Sequence, residues 1–121
     1  MKYGIIGSRK RTDKQNITDL INSFTTADVV VSGGCSGPDT WAEEAARAKG
    51  LDVKVFLPEL PINKKSPRYK FEKIDAFYAR NRLIVENSDV LHAFVAPDRK
   101  GGTEYSIKHA QKIGVPFVIH N

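Results

Sequence analysis

The sequence predicts an α/β fold in which a mostly parallel, five-stranded sheet lies between two layers of helices. Three observations predict it. Five apolar, β-branched runs recur along the chain, KYGIIG (2–7), DVVVS (28–32), DVKVFLP (52–58), DVLHAFV (89–95) and VPFVIH (115–120), most of them separated by room for a helix. The runs are continuous rather than alternating, the pattern of strands covered by helices on both faces. The segments between them carry helical spacing with glycine stops. Together these describe a Rossmann-like three-layer sandwich with an expected strand order of 3-2-1-4-5.

Each element has a local reason. After the first strand, Thr12 or Asp13 can cap a helix whose Ile17, Leu20, Ile21 and Phe24 form one apolar face. The second helix opens near Pro38, a residue suited to the first helical turn, and stops at Gly50. Residues 58–70, PELPINKKSPRYK, hold three prolines and no period, and are expected to be a loop. The third helix should run from Tyr69 to Asn87 with Ile74, Phe77, Tyr78, Ile84 and Val85 as its seam. Asn81 falls on that seam, so its amide requires a hydrogen-bonding partner from a loop or a ligand. Arg80 and Arg82 leave the helix on different sides, and at most one of them should share Asn81's surroundings. Ile107, Ala110 and Ile113 mark the fourth helix, which Gly114 ends.

At 121 residues the chain is expected to form a single domain, residues 1–121. An apolar share of 40% and a charged share of 27% suit a soluble protein, and no apolar run has the length of a membrane span. The strand-like start leaves no space for a signal peptide, and a lone cysteine makes no disulfide framework. A cytoplasmic location is the resulting expectation. The net charge of +5 is concentrated in RKR (9–11), KKSPRYK (64–70), RNR (80–82) and RK (99–100), a field suited to an anionic ligand.

In this fold class ligands bind beyond the carboxyl ends of the strands, where strand order reverses. Three unusual turns follow strands there: Gly7-Ser8-Arg9, Ser32-Gly33-Gly34-Cys35-Ser36-Gly37, and Gly101-Gly102-Thr103-Glu104. Glycines let backbone N–H groups approach an anion, and the following helix adds the positive end of its dipole. Ser8, Ser36 and Thr103 supply hydroxyls, and Arg9 a guanidinium. The spacings of a P-loop and of a dinucleotide fingerprint are both missing. Cys35 reads as a small turn residue. His92, His109 and His120 show no ligand spacing, so no metal and no cofactor is expected. Glu104, at a helix start, either interacts with the helix dipole or stabilises C1 of a ribose whose base departs through an oxocarbenium-like state, and Asp39 carries the same two readings.

GIIGSRK (4–10), VVSGGCSGPDTWAEEAA (30–46), RNRLIVENSDVLHAFVAP (80–97) and GGTEYSIKHAQKIGVPFVI (101–119) together resemble the SLOG superfamily, above all its YspA/YpsA-related branch. That group is similar to the Lonely Guy phosphoribohydrolases and to DNA-processing protein A. The resemblance spans nearly the whole chain and implies a Rossmann-like domain whose glycine turns bind a nucleotide or nucleotide-derived ligand. It matches Arg80 to the arginine preceding the fourth strand, and Gly101, Gly102 and Thr103 to the phosphate-binding turn. The Lonely Guy catalytic glutamate lies two residues after that threonine, a place taken here by Tyr105, with Glu104 one residue earlier. Binding therefore carries over better than hydrolysis.

The leading expectation is a nucleotide-binding domain whose ligand contacts Gly7, Ser8, Arg9, Gly33, Gly34, Ser36, Gly37, Asp39, Asn81, Gly101, Gly102 and Thr103. One alternative is a nucleoside 5′-monophosphate N-glycosidase with Glu104 and Arg80 as its catalytic residues. The other is a binder of single-stranded DNA, motivated by Arg80-Asn81-Arg82 and the basic loop 64–70. No membrane partner is expected, and relatives with this fold make a homo-oligomer the expected assembly.

Overall fold

A computed structural model describes residues 1–121. The strands are β1 (Lys2–Gly7), β2 (Val29–Ser32), β3 (Asp52–Val55), β4 (Val90–Phe94) and β5 (Phe117–His120). The helices are α1 (Lys14–Asn22), α2 (Pro38–Lys49), α3 (Tyr69–Glu86) and α4 (Gly102–Ile113). All pairings are parallel and the order is β3-β2-β1-β4-β5, as the sequence predicts. Gly7 stands opposite Phe94, so the carboxyl ends of β1 and β4 finish level where the order reverses. Strand β3 stops at Val55, short of its predicted end at Pro58.

Continuous apolar strands are required because successive side chains enter different layers. Ile5, Val30 and Phe94 join Ile17, Ile21, Ala42 and Ala46 under α1 and α2. Ile6, Val31 and Ala93 join Ile84, Val85, Ile107 and Ala110 under α3 and α4. Pro38 occupies the first turn of α2, and Gly50 and Gly114 close α2 and α4 with left-handed φ values of 86° and 82°. Two seams differ from expectation. Ile113 is 44% exposed, and the inner face of α4 is Thr103, Ser106, Ile107 and Ala110. In α3 only Ile84 and Val85 reach the core, while Ile74 is 37% exposed and Phe77 and Tyr78 are half-buried. Loop 56–68 contributes nothing to the cavity described below. No helix is long and apolar enough to cross a membrane.

His92 is buried on β4 with Nδ1 3.0 Å from His120 Nε2. One nitrogen of that pair must accept, so the neutral forms are favoured. Burial, with His120 adding to it, holds His92 down at about 4. The unfolded chain therefore takes up protons that the native ring refuses, and stability falls as pH drops from about 6.5 toward 4. We expect this residue to remove about 2 kcal/mol between pH 7 and pH 5. Urea titrations at the two pH values check it, since His92→Gln should lose less than the wild type over that interval.

Candidate functional site

The turns after β1, β2 and β4 converge on a cavity of about 510 Å³ at the carboxyl edge of the sheet. Gly7, Ser8, Arg9 and Lys10 line it from the first turn, Cys35 and Asp39 from the second, and Lys100, Gly101, Gly102 and Thr103 from the third. Close packing makes the convergence possible. A Cβ on Gly7 would lie 2.6 Å from Pro38 Cβ, so only glycine lets the end of β1 rest on the first turn of α2.

The second turn is closed by its own helix. Glu43 Oε2 accepts from Ser32 Oγ at 2.8 Å and from the Gly34 N–H at 3.2 Å, and Asp39 Oδ2 accepts from the Cys35 N–H at 3.3 Å. Two of the amides that would cradle an anion already have anionic partners. Burial pushes Asp39 up to about 6, with Glu43 adding to the rise while the Cys35 amide and the Arg80 charge oppose it.

Arg80, only 5% exposed, spans the floor. Its Nη1 donates to Gly33 O at 2.6 Å, Nη2 to Cys35 Sγ at 3.2 Å, and Nε to Asn81 Oδ1 at 2.9 Å. Asn81 Nδ2 in turn reaches Gly102 O at 3.5 Å. The inward amide thus finds the loop partner its position demands, and the two residues tie the second turn to the third. Arg82 points elsewhere and donates to the Tyr105 hydroxyl at 2.7 Å.

The third turn is open. Gly101 has a φ of 106° and nothing near its missing Cβ, and it sets the start of α4 against the cavity. Thr103 is 6% exposed, yet its hydroxyl makes no hydrogen bond within the chain and the residue lines the cavity. Helix-terminal amides, a free hydroxyl and the neighbouring Lys100, Arg9 and Lys10 make this the anion-attracting end. Across from it, Ile74, Phe77 and Tyr78 form an apolar wall, with Tyr78 stacked on Tyr105 at 4.2 Å.

DNA processing protein A from Streptococcus pneumoniae superposes with a TM-score of 0.79 at 18% identity, over 98% of this chain and 49% of that one. The protein TM1055 gives 0.61 at 19% identity, over 97% of this chain and 72% of its own. This chain shares the fold of both. The C-terminal domain of the PF1911 hydrogenase from Pyrococcus furiosus is more distant, at 0.54 and 12% identity over 98% and 90% of the two chains. This chain spans about half the length of the DNA processing protein. No protein-family model and no curated protein matches the sequence.

Within this frame, the residues expected at the site divide cleanly. Gly7, Ser8, Arg9, Asp39, Arg80, Asn81, Gly101, Gly102 and Thr103 line the cavity. Gly33, Gly34, Ser36, Gly37 and Glu104 do not. Gly33 lies beneath it, where a Cβ would come within 2.7 Å of Arg80 Nη1 and 3.0 Å of Asp39 Oδ2. Gly37, with φ at 90°, is the N-cap of α2. Glu104 is held outside by Arg99 through two 2.9 Å hydrogen bonds. Cys35, Lys10, Lys100 and the α3 wall also line the cavity, outside the set of ligand contacts expected from sequence. Helix length is the signal that could have found the wall. Eighteen residues of α3 rise about 27 Å, whereas a five-residue strand covers about 17 Å, so the first half of α3 must overhang the sheet's carboxyl edge.

Proposed function

We propose that the cavity binds a nucleoside phosphate or nucleotide-derived ligand. The observation that carries this reading is the pairing of two unlike ends in one cavity of about 510 Å³. The Thr103 hydroxyl, open to the cavity and unpartnered within the chain at the start of α4, suits the phosphate, and Phe77 and Tyr78 suit the flat face of a base. Arg9 and Lys100 add positive charge at the mouth, and Arg80 braces the floor. Cleavage of a glycosidic bond by Glu104 has less support, because that carboxylate is engaged with Arg99 outside the cavity.

A thermal-shift panel of nucleoside mono-, di- and triphosphates tests the reading. A ligand at a hundred times its dissociation constant should stabilise the native state by about 2.7 kcal/mol, and Thr103→Val should shrink that gain. No shift for any member of the panel overturns the proposal.

The likeness to a DNA processing protein, together with the basic mouth of Arg9, Lys10 and Lys100, favours single-stranded DNA as a second reading. Its signature is an affinity that falls steeply with salt, about tenfold or more between 50 and 200 mM when several phosphates are contacted. Failure to retain an oligonucleotide at low salt removes it.

A further inference from the structure

Asp39 is the one acidic side chain among the residues lining the cavity, and only 4% of it is exposed. Its Oδ2 accepts the Cys35 N–H at 3.3 Å, the Gly33 amide also bears on the carboxyl, and no side chain donates to it. A carboxylate at the wall of a cavity takes further donors from whatever fills that cavity. The anionic group of a ligand is repelled from it and drawn to the α4 end, where the amides and lysines lie. Arg80 Nη1 and Asp39 Oδ2 would both come within 3.0 Å of a Cβ on Gly33, so the guanidinium stands beside the carboxyl and disfavours a cationic donor in the same corner. What remains is a neutral donor joined to an anion on one side and to a flat apolar group on the other.

Sugar hydroxyls meet that description. We propose that Asp39 is the acceptor for the vicinal hydroxyls of the ligand's sugar, so that the cavity selects a ribonucleoside phosphate over its 2′-deoxy counterpart. The assignment rests on the nucleotide reading above and adds a specificity-determining residue to it. One oxygen has two lone pairs and can accept from both hydroxyls of a cis-diol, which a deoxyribose offers only in part. Burial raises the Asp39 carboxyl to about 6, so at neutral pH it is mainly ionised and acts as an acceptor.

The test compares the four common ribonucleoside 5′-monophosphates with their 2′-deoxy forms by calorimetry on the intact protein at pH 7.5. Loss of a hydroxyl that donates to a carboxylate should weaken binding about tenfold or more. In Asp39→Asn the ratio of ribo to deoxy affinity should fall toward one, a readout that general loosening of the turn does not mimic because both ligands share the rest of the site. Equal affinities in the wild type, with binding intact, overturn the Asp39 assignment and leave the nucleotide reading standing. An Asp39→Asn variant that keeps the full preference overturns it as well. No binding of either series overturns both.

Discussion

Replacing Arg80 with alanine is expected to remove about 3 kcal/mol of stability and to lower the melting temperature by on the order of 10 °C. The guanidinium makes three contacts from a position 5% exposed. Truncation leaves Gly33 O without its donor at the cavity floor, frees the Asn81 amide that leads to Gly102, and removes the positive charge nearest buried Asp39. Each loss exposes a group that water replaces poorly in a closed corner, and unsatisfied buried groups are costlier than their hydrogen bonds are worth. The Asp39 carboxyl should rise further above 6 in this variant, since the positive charge that opposes the rise disappears. Arg80→Lys keeps the charge but cannot fork to Gly33 O, Cys35 Sγ and Asn81 together, so it should recover less than half of the loss. Differential scanning calorimetry of the three proteins decides the matter. Melting of Arg80→Ala within 2 °C of the wild type would show that the guanidinium holds nothing together.

The elements were legible because their causes are local. Pro38 and Gly50 bracket α2, Gly114 ends α4, and apolar runs mark the strands whatever lies elsewhere in the chain. Strand order follows from the fold class, and that order brings the glycine turns to the reversal, where Gly7 stands opposite Phe94. The site was less legible, and the reason is physical. A glycine-rich turn reads as an anion cradle only if its N–H groups are free, and Asp39 and Glu43 bend back from α2 to take those of Cys35 and Gly34. Positions four and nine residues along the chain decide this, and no turn motif includes them. Glu104 is similar: a carboxylate after Gly-Gly-Thr faces either into the cavity or toward Arg99, and the left-handed Arg99 backbone, with φ at 54°, sets the second course. Ile74, Phe77 and Tyr78 share one helical face with Ile84 and Val85, so periodicity alone cannot separate cavity wall from core.

Asp39→Asn is expected to stabilise the protein at pH 7.5 by about 2 kcal/mol, an unusual sign for a change at a buried polar residue. Burial raises the native carboxyl from 3.8 to about 6, so between those values the native state holds a proton that the unfolded chain has released. Stability contributed by this group is therefore fully present below about 4 and is lost as pH rises through 6, the reverse of the His92 effect. The full shift corresponds to about 3 kcal/mol at neutral pH. An asparagine carries no charge to desolvate and its Oδ1 can still accept the Cys35 N–H, so most of that penalty should vanish while the turn keeps its bond. Urea denaturation from pH 4 to pH 8 checks both parts: the variant should be the more stable protein above pH 6, and the two curves should approach each other toward pH 4. A variant less stable than the wild type at pH 7.5 would mean that the charge itself, through Arg80, holds the floor together. A carboxylate kept where an amide would satisfy the same backbone donor, and would do so more stably, is explained by something outside the fold that needs the negative oxygen. The cavity that Asp39 lines, as its one acidic residue, is where that need would be met.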